Sequence, residues 1–260
     1  MPMRTLAAVS QKGGQSKSTV IAHLGYCTRE VNLRLAIIDL DPQASLTEVT
    51  FMREGLPPQF TPDKFCPVSE FLGQTLNWDA EPDNTIHTCE FLFVHADHED
   101  DDTSKFSLAH LKSNLAMLER AGFNCVLIDT QGGLTGLTEF ALQVATHVVI
   151  PFQFGGYDIA AIDKTINLIE KIRESDNRNL KILGMLPAKV ETGSQKIMSA
   201  LRKAQSETAA ILPYHLANRI AVQEATQDNR PVWRKAKTGA QRAAANEWKQ
   251  VCIHILSELA

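Results

Sequence analysis

The amino-acid sequence predicts one α/β domain in which a mostly parallel sheet is covered by helices on both faces. Short apolar runs of strand length alternate along the 260 residues with longer segments whose apolar residues recur at helical spacing. Runs that are apolar at nearly every position are typical of strands buried on both faces, as in a doubly wound sheet. The sequence has no internal repeat or linker-like stretch, so we assign residues 1–260 to a single domain.

The first predicted elements are a strand, a loop and a helix. Residues 6–9 are a short apolar run that ends at a Gly/Ser/Lys loop, and residues 19–29 carry apolar side chains at helical spacing. The further predicted strands are 35–40, 91–94, 125–128, 148–151, 180–186 and 210–212, and the further predicted helices are 108–120, 159–173, 195–205 and 239–259. Residues 57–67 are rich in proline and predict a loop or cap, because proline cannot continue a ladder.

The composition is that of a soluble globular protein. Apolar residues make up 44% and charged residues 22% of the chain, and the longest apolar runs are far shorter than the roughly 20 residues that cross a bilayer. The first residues lack the charged and apolar regions of a signal peptide, so we expect a cytoplasmic protein without a membrane span. Five scattered cysteines without a C-x-x-C pair favour reduced thiols over a metal or redox site: Cys27, Cys66, Cys89, Cys125 and Cys252.

The formal net charge of −4 conceals two oppositely charged regions. Residues 79–102 hold nine acids and no Lys or Arg, which indicates a solvated acidic loop that DNA would repel. Residues 189–249 hold eleven Lys or Arg and five acids, a net charge of +6. A polyanion could bind to this second region.

The loop after the first strand has the features of a phosphate-binding loop. Residues 10–19 read Ser-Gln-Lys-Gly-Gly-Gln-Ser-Lys-Ser-Thr, with two glycines and a Lys-Ser pair at the start of a helix. Backbone N–H groups and the helix N-terminus favour phosphate, Lys17 can reach the β- and γ-phosphates, and the Ser18 hydroxyl can ligate Mg²⁺. The strict G-x-x-x-x-G-K-[ST] pattern is absent because Gln11 and Ser16 replace both of its glycines.

The early lysine, Lys12, completes the pattern K-G-G-x-x-K-[ST], and with it the chain resembles the ParA/MinD family of deviant Walker A ATPases. Three further segments are similar to that family in the expected order: residues 39–44 (DLDPQA), the strand end at 127–130 (LIDT), and 149–153 (VIPFQ). Residues 219–225 and 230–232 resemble the family's segment near the adenine and the partner surface. The resemblance covers nearly the whole chain and implies a P-loop NTPase fold.

The resemblance also implies an ATP-dependent homodimer in which two subunits enclose two ATP molecules. Lys12 would reach the phosphates of the opposite subunit, Lys12 and Lys17 would offset phosphate charge, and Asp41 would position the attacking water. Ser18, Asp129 and, as a second candidate, Asp39 would hold Mg²⁺. The implied nucleotide-binding residues are Lys12, Gly13, Gly14, Gln15, Ser16, Lys17, Ser18, Thr19, Asp129 and Pro213.

Simpler interpretations compete with these roles, and the sequence departs from the family at three places. A loop lysine can be merely solvated, and an aspartate at the end of a strand can merely cap the next helix. Ser16 replaces a glycine that lets the backbone approach phosphate, so nucleotide would bind with altered geometry or weakly. Residues 131–133 (Gln-Gly-Gly) replace two prolines, and Ala188 replaces an Asn or Thr near the base.

The main functional hypothesis is a partition ATPase whose ATP-bound dimer binds non-specific DNA and is released by a separate ParB-like partner that stimulates hydrolysis. The chain resembles the short partition ATPases, which have no helix-turn-helix extension at the N-terminus. The candidate phosphate contacts to DNA are Arg202, Lys203, Arg219, Arg234, Lys235, Lys237 and Arg242. The competing interpretation is that these charges only solvate helix faces.

Other members of the family act at membranes or on different cargo. Residues 248–260 have few cations on their polar face and predict a core helix rather than a membrane-binding one. The alternative hypothesis is a nucleotide-binding adaptor or positioning protein with low turnover, and a metabolic P-loop enzyme ranks third because no second set of acids, His or Cys is placed for a small substrate. We expect a cytoplasmic, nucleoid-associated protein.

Overall fold

A computed structural model describes residues 2–52, 55–78, 86–97, 106–155 and 159–259. The ends of the acidic segment, residues 79–85 and 98–102, lie outside these ranges, so the interpretation of that segment as a solvated loop stays a prediction. The strands are β1 (Arg4–Ala8), β2 (Leu35–Asp39), β3 (Lys64–Pro67), β4 (Phe91–His95), β5 (Cys125–Asp129), β6 (His147–Gln153) and β7 (Lys181–Ala188). The helices are α1 (Lys17–Glu30), α2 (Val68–Gly73), α3 (Leu108–Arg120), α4 (Gly136–Val144), α5 (Ile159–Ser175), α6 (Gln195–Glu207), α7 (Ile220–Gln227) and α8 (Gly239–Leu259).

The seven strands form one sheet in the order β3-β4-β2-β5-β1-β6-β7, and every pairing between them is parallel. The predicted α/β class with helices on both faces is confirmed. Side chains alternate between the faces, so that Leu35 and Ile37 of β2 belong to one core and Ala36 and Ile38 to the other. The first core packs against α1, α7 and α8, and the second packs against α2, α3, α4 and α5.

The register of the strands brings two aspartates together at one edge of the sheet. Asp39 at the end of β2 is opposite Asp129 at the end of β5, and Ala8 at the end of β1 pairs with Asp129 on its other side. The carboxyl ends of β1, β2 and β5 therefore meet beneath the loop that joins β1 to α1. Ligands of parallel α/β sheets bind at this edge.

The C-terminal helix α8 packs into the core, as predicted. Its buried residues recur at helical spacing and it contacts α1. They are Ala244, Ala245, Trp248, Val251, Cys252, Ile255 and Leu259. Among the described residues, no helix is both long and apolar enough to cross a membrane.

Two predicted elements were wrong in part. Residues 210–212 form only an isolated bridge, from Met185 to Ile211, because just two backbone hydrogen bonds join that segment to β7. The proline-rich segment 57–67 contains β3, which lies at the edge of the sheet, where a proline such as Pro67 costs no ladder hydrogen bond. The helices α2, α4 and α7 were not predicted because each has only six to nine residues.

The five cysteines are buried, free thiols, as expected. Burial raises the pKa of Cys66 to about 12, that of Cys89 to about 11 and that of Cys125 to about 12. Thiols with raised pKa values are poor nucleophiles and metal ligands at neutral pH. These cysteines therefore act as small apolar core residues.

Candidate functional site

The loop between β1 and α1 has the backbone geometry of a phosphate-binding loop. Gly14 has a φ of +73°, and Ser16, the residue before α1, has φ 70° and ψ 18°. Position 16 thus keeps the left-handed conformation that favours glycine, although it carries a side chain, which costs about 1 kcal/mol. The departure seen in the sequence at Ser16 is therefore a strained residue within an otherwise preserved loop.

Lys17 is folded back onto this loop. Its side chain is only 5% exposed, and Nζ donates to Ser10 Oγ (3.3 Å) and to the carbonyl oxygen of Lys12 (3.5 Å). Ser10 Oγ also donates to the Lys12 carbonyl oxygen, at 3.1 Å. Burial lowers the pKa of Lys17, while the nearby carboxylates Asp129 and Asp41 raise it. An anion on the loop would favour the charged ammonium and draw it off the Lys12 carbonyl.

Gln15 connects the loop to the end of β6. Its side chain is 8% exposed, and its Oε1 accepts a hydrogen bond from the backbone N–H of Gln153 at 2.5 Å. Lys12, Gly13 and Gly14 are exposed beside it. The side chain of Gln15 therefore holds the loop in place, whereas the neighbouring lysine and glycines face outward.

Asp129 is a buried carboxylate that lacks its usual partners. It is 0% exposed, and within the described part of the chain neither oxygen has a hydrogen bond of good geometry. Its pKa is raised well above 3.8, first by burial and then by the charge of Asp39, whereas the Ser18 hydroxyl and Lys17 lower it. An orphaned buried carboxylate next to a hydroxyl suits a magnesium ion, which prefers oxygen ligands and keeps several waters. Asp129 and Ser18 thus fit the predicted metal role.

Asp39 is already engaged in hydrogen bonds within the protein. Its Oδ2 accepts from the backbone N–H (2.9 Å) and the hydroxyl (2.6 Å) of Thr47, and its Oδ1 accepts from the N–H of Asp41 (3.2 Å). Burial raises the pKa of Asp39 to about 6, although the bonds from Thr47 and Asp41 lower it. These contacts give Asp39 a structural role in folding the loop after β2, and its metal role stays a prediction.

Asp41 lies between this loop and the lysines. It is 9% exposed, and its Oδ1 accepts a hydrogen bond from the N–H of Gln43 at 3.0 Å. The negative charge of Asp41 raises the pKa of both Lys17 and Asp129, which shows that the three groups lie close together. The role of Asp41 in positioning water stays a prediction.

The loop after β5, residues 130–135, packs directly on the phosphate loop. The Thr130 hydroxyl donates to the carbonyl oxygen of Ala8 (2.8 Å), and the N–H of Gly133 donates to that of Ser10 (3.4 Å). A Cβ added to Gly132 would lie 2.5 Å from the backbone nitrogen of Gly13. The Gln-Gly-Gly sequence therefore permits a close backbone contact that a larger residue at 132 would prevent.

A cavity of about 340 Å³ opens beside the phosphate loop. Ser16 and Thr19 form its loop side, and the opposite walls come from the ends of β7, α7 and α8. The remaining lining residues are Lys189, Leu216, Ala217, Asn218, Arg219, Val222, Gln223, Thr226, Gln227 and Trp248. Pro213, predicted to contact the base, is exposed and does not line this cavity. The segment that begins three residues later, at Leu216, lines the cavity instead.

The sequence analysis missed His23, which links α1 to the segment before α8. His23 is 1% exposed, its Nδ1 donates to the carbonyl oxygen of Thr19 (2.9 Å), and its Nε2 accepts the N–H of Val232 (3.2 Å). Burial lowers the pKa of His23 to about 4, so the ring is neutral at pH 7. Its position one turn after the Lys-Ser pair was the only sequence signal available, and that signal does not reveal the partner 209 residues away.

Two of the predicted DNA contacts are partly buried arginines, and the other five are exposed cations. Arg219 Nε donates to Glu247 (3.2 Å), and Arg234 Nε donates to Glu30 (3.1 Å) while its guanidinium stacks on Phe60. The other five candidates are exposed: Arg202 and Lys203 on α6, Lys235 and Lys237 before α8, and Arg242 in the first turn of α8. Both arginines thus have partly buried acidic partners. Among the five exposed cations, Lys203 forms an exposed ion pair with Glu207 (3.7 Å), and Arg242 donates to the carbonyl oxygen of Lys237 (3.0 Å).

Comparisons with known proteins agree with this architecture. The model of the CobQ/CobB/MinD/ParA nucleotide binding domain matches residues 6–232. Protein IncC of Escherichia coli is 29% identical over 267 residues, covering 99% of this chain and 70% of IncC. The chromosome partitioning protein ParA of Caulobacter vibrioides is 26% identical over 190 residues, covering 71% of this chain and 69% of that protein.

A solved structure supports the fold independently. Cobyrinic acid a,c-diamide synthase from Mycobacterium smegmatis, with bound ADP and magnesium, superposes with a TM-score of 0.70 at 22% identity, covering 98% of this chain and 94% of the synthase. At this identity the likeness establishes the fold alone. Because the domain model matches most of the sequence, the chain belongs to the CobQ/CobB/MinD/ParA family of nucleotide-binding domains.

Proposed function

We propose that the chain is a ParA-type partition ATPase that binds ATP and Mg²⁺, dimerises in the ATP state, and then binds non-specific DNA. The observation that carries the proposal is the buried carboxylate of Asp129, which lacks a hydrogen bond of good geometry among the described residues and lies beside Ser18 and Lys17 under a phosphate-type loop. The relative from Caulobacter vibrioides is by its name a chromosome partitioning protein, which supports the partition function. A separate ParB-like partner would stimulate hydrolysis and release the DNA.

The residues of the site divide the work as follows. Gly13, Gly14 and the N-terminus of α1 would bind phosphate through backbone N–H groups, and Lys17 would leave the Lys12 carbonyl to contact it. Bound Mg²⁺ would supply charge neutralisation at the phosphates, with Ser18 and Asp129 as the protein groups that hold it. Lys12, which is exposed, would reach the phosphates of a second subunit.

Hydrolysis of ATP needs one oriented water molecule in a site that excludes bulk water. Asp41, 9% exposed, would orient that water, and Asp39 would keep the loop carrying Asp41 in place through Thr47. The nucleotide base would enter the 340 Å³ cavity between Thr19 and α7. The protein would act in the cytoplasm, associated with the nucleoid.

DNA binding is proposed for the five exposed cations. Phosphate contacts from Lys and Arg make affinity fall steeply with salt, whatever the DNA sequence. Replacing Lys235, Lys237 and Arg242 with alanine should weaken ATP-dependent DNA binding and reduce its salt dependence. Replacing Arg219 with alanine should mainly lower the melting temperature, because it removes the bond to Glu247.

The deciding experiment is co-sedimentation with random-sequence duplex DNA at several salt concentrations. The protein is tested without nucleotide and with ADP, ATP and a slowly hydrolysed ATP analogue. Salt-sensitive binding in the ATP states alone supports the proposal. Absence of DNA binding in every state would refute it.

A second candidate function is a nucleotide-dependent adaptor with low turnover. The side chain of Ser16, at a position where the phosphate loop pattern has glycine, favours it, since this side chain would weaken nucleotide binding or alter its geometry. Partner-stimulated phosphate release that is lost on Asp41→Ala would rule it out. A metabolic enzyme with a small-molecule acceptor is tested by turnover in the absence of any macromolecule.

A further inference from the structure

Lys189 lies directly after β7, in an uncommon backbone conformation. Its φ is +51°, in the left-handed region that non-glycine residues seldom adopt. Strained backbone of this kind persists where the surrounding structure fixes it, often next to a functional site. Ala188 before it is buried, and Lys189 itself is half-buried.

The ammonium group of Lys189 reaches the phosphate loop. A Cβ added to Gly14 would lie 3.9 Å from Lys189 Nζ. Lys189 also lines the 340 Å³ cavity together with Ser16 and Thr19, at the start of α1. The ammonium therefore lies where the cavity meets the loop whose N–H groups would bind phosphate.

Within the part of the chain that the structure describes, no acid forms an ion pair with this ammonium. Among the described residues, the Lys189 side chain has no hydrogen bond or ion pair. Glu191, the nearest acid along the chain, instead accepts a hydrogen bond from Asn218 at 2.7 Å. An unpaired ammonium at the mouth of a partly enclosed site favours an anionic ligand.

We propose that Lys189 is a phosphate-binding residue, a third lysine in addition to Lys12 and Lys17. The inference rests on the proposed nucleotide binding and deepens it. Lys17 approaches the loop from within α1, whereas Lys189 approaches it from the end of β7, across the cavity. Ligands with a phosphate chain gain from this contact, and ligands without phosphate do not.

The test is isothermal titration of the full chain with ADP, ATP and adenosine in Mg²⁺ buffer. Lys189→Met should weaken ADP and ATP binding about tenfold, the value of one charge-assisted hydrogen bond, and leave adenosine binding unchanged. Lys189→Arg should restore ADP affinity to within about threefold of the parent, because it keeps the charge. Lys196→Met, an exposed lysine on α6, is the matched control and should bind like the parent.

Three outcomes would overturn the assignment. They are unchanged ADP affinity in Lys189→Met, an equal loss for adenosine, and an equal loss in Lys196→Met. The ligand-free melting temperature of each variant separates loss of binding from loss of folding. Parent protein that binds ADP but not DNA would contradict the partition function and leave the Lys189 assignment open to the same titration, whereas a parent that binds no nucleotide would refute both.

Discussion

Gly132 is the position where a single methyl group should have the largest effect on the site. In Gly132→Ala the new Cβ would lie 2.5 Å from Gly13 N, 2.7 Å from Gly13 Cα and 3.0 Å from the carbonyl carbon of Lys12. Favourable contacts between such atoms lie at about 3.5–4.0 Å, so the two loops must separate by roughly 1 Å. All three neighbours are backbone atoms, and no side-chain rotamer can relieve the overlap.

The expected loss follows from this geometry. Overpacking of this kind costs about 1–3 kcal/mol, which in a chain of this size lowers the melting temperature by roughly 5 °C. In the displaced segment, the carbonyl oxygen of Lys12 accepts a hydrogen bond from Lys17, and Gly13 is proposed to bind phosphate. A displacement of about 1 Å can reduce a catalytic rate about a hundredfold. We therefore expect the rate of ATP hydrolysis to fall strongly even where the protein stays folded.

The assay combines thermal melting, ADP titration and phosphate release. Gly73→Ala is the matched control, because a Cβ at Gly73, in the exposed last turn of α2, would meet no atom within 4 Å. The control should behave like the parent in all three measurements. If Gly132→Ala has the same melting temperature and the same ADP affinity as the parent, the contact between the two loops has no energetic importance. That result would refute the predicted overlap at Gly132.

Three further predictions concern the same edge of the sheet. Ser16→Gly removes a side chain from left-handed backbone and should stabilise the protein by about 0.5–1 kcal/mol in urea denaturation. A lower urea midpoint than that of the parent would contradict backbone strain at Ser16. Asp129→Asn should raise the melting temperature of the ligand-free protein, since a buried carboxylate with raised pKa destabilises the fold as pH rises, and it should abolish the extra stabilisation that Mg²⁺ gives with ADP. His23 stays neutral in the folded protein down to pH about 4, but the unfolded chain takes up a proton below 6.5. The free energy of unfolding should therefore fall by about 3 kcal/mol across that window, at about 1.4 kcal/mol per pH unit. Urea titrations from pH 7 to pH 4 should show a shallower fall for His23→Gln, and equal slopes would refute the role of His23.

The sequence by itself determined the fold class and the elements of the phosphate site. Apolar runs that alternate with helical periodicities favoured a parallel sheet with helices on both faces, because strands that are apolar at nearly every position are typical of sheets covered on both sides. The order of residues from Lys12 to Ser18 placed the loop, and the strand that ends at Asp129 placed the carboxylate. Local residue types and spacing are sufficient for features of this kind, since the contacting groups lie within a few residues or at the ends of predicted strands.

Only the tertiary structure decided which groups are free and which are occupied. Asp39 and Asp129 each stand at the end of an apolar strand in the sequence. The carboxylate of Asp39 accepts hydrogen bonds from Thr47, while that of Asp129 lacks a hydrogen bond of good geometry among the described residues. His23 and Lys189 are ordinary residues until the fold brings Val232 and Gly14 to them. Burial, pairing and close approach depend on residues distant along the chain, and the spacing of residues in a sequence carries no information about such contacts.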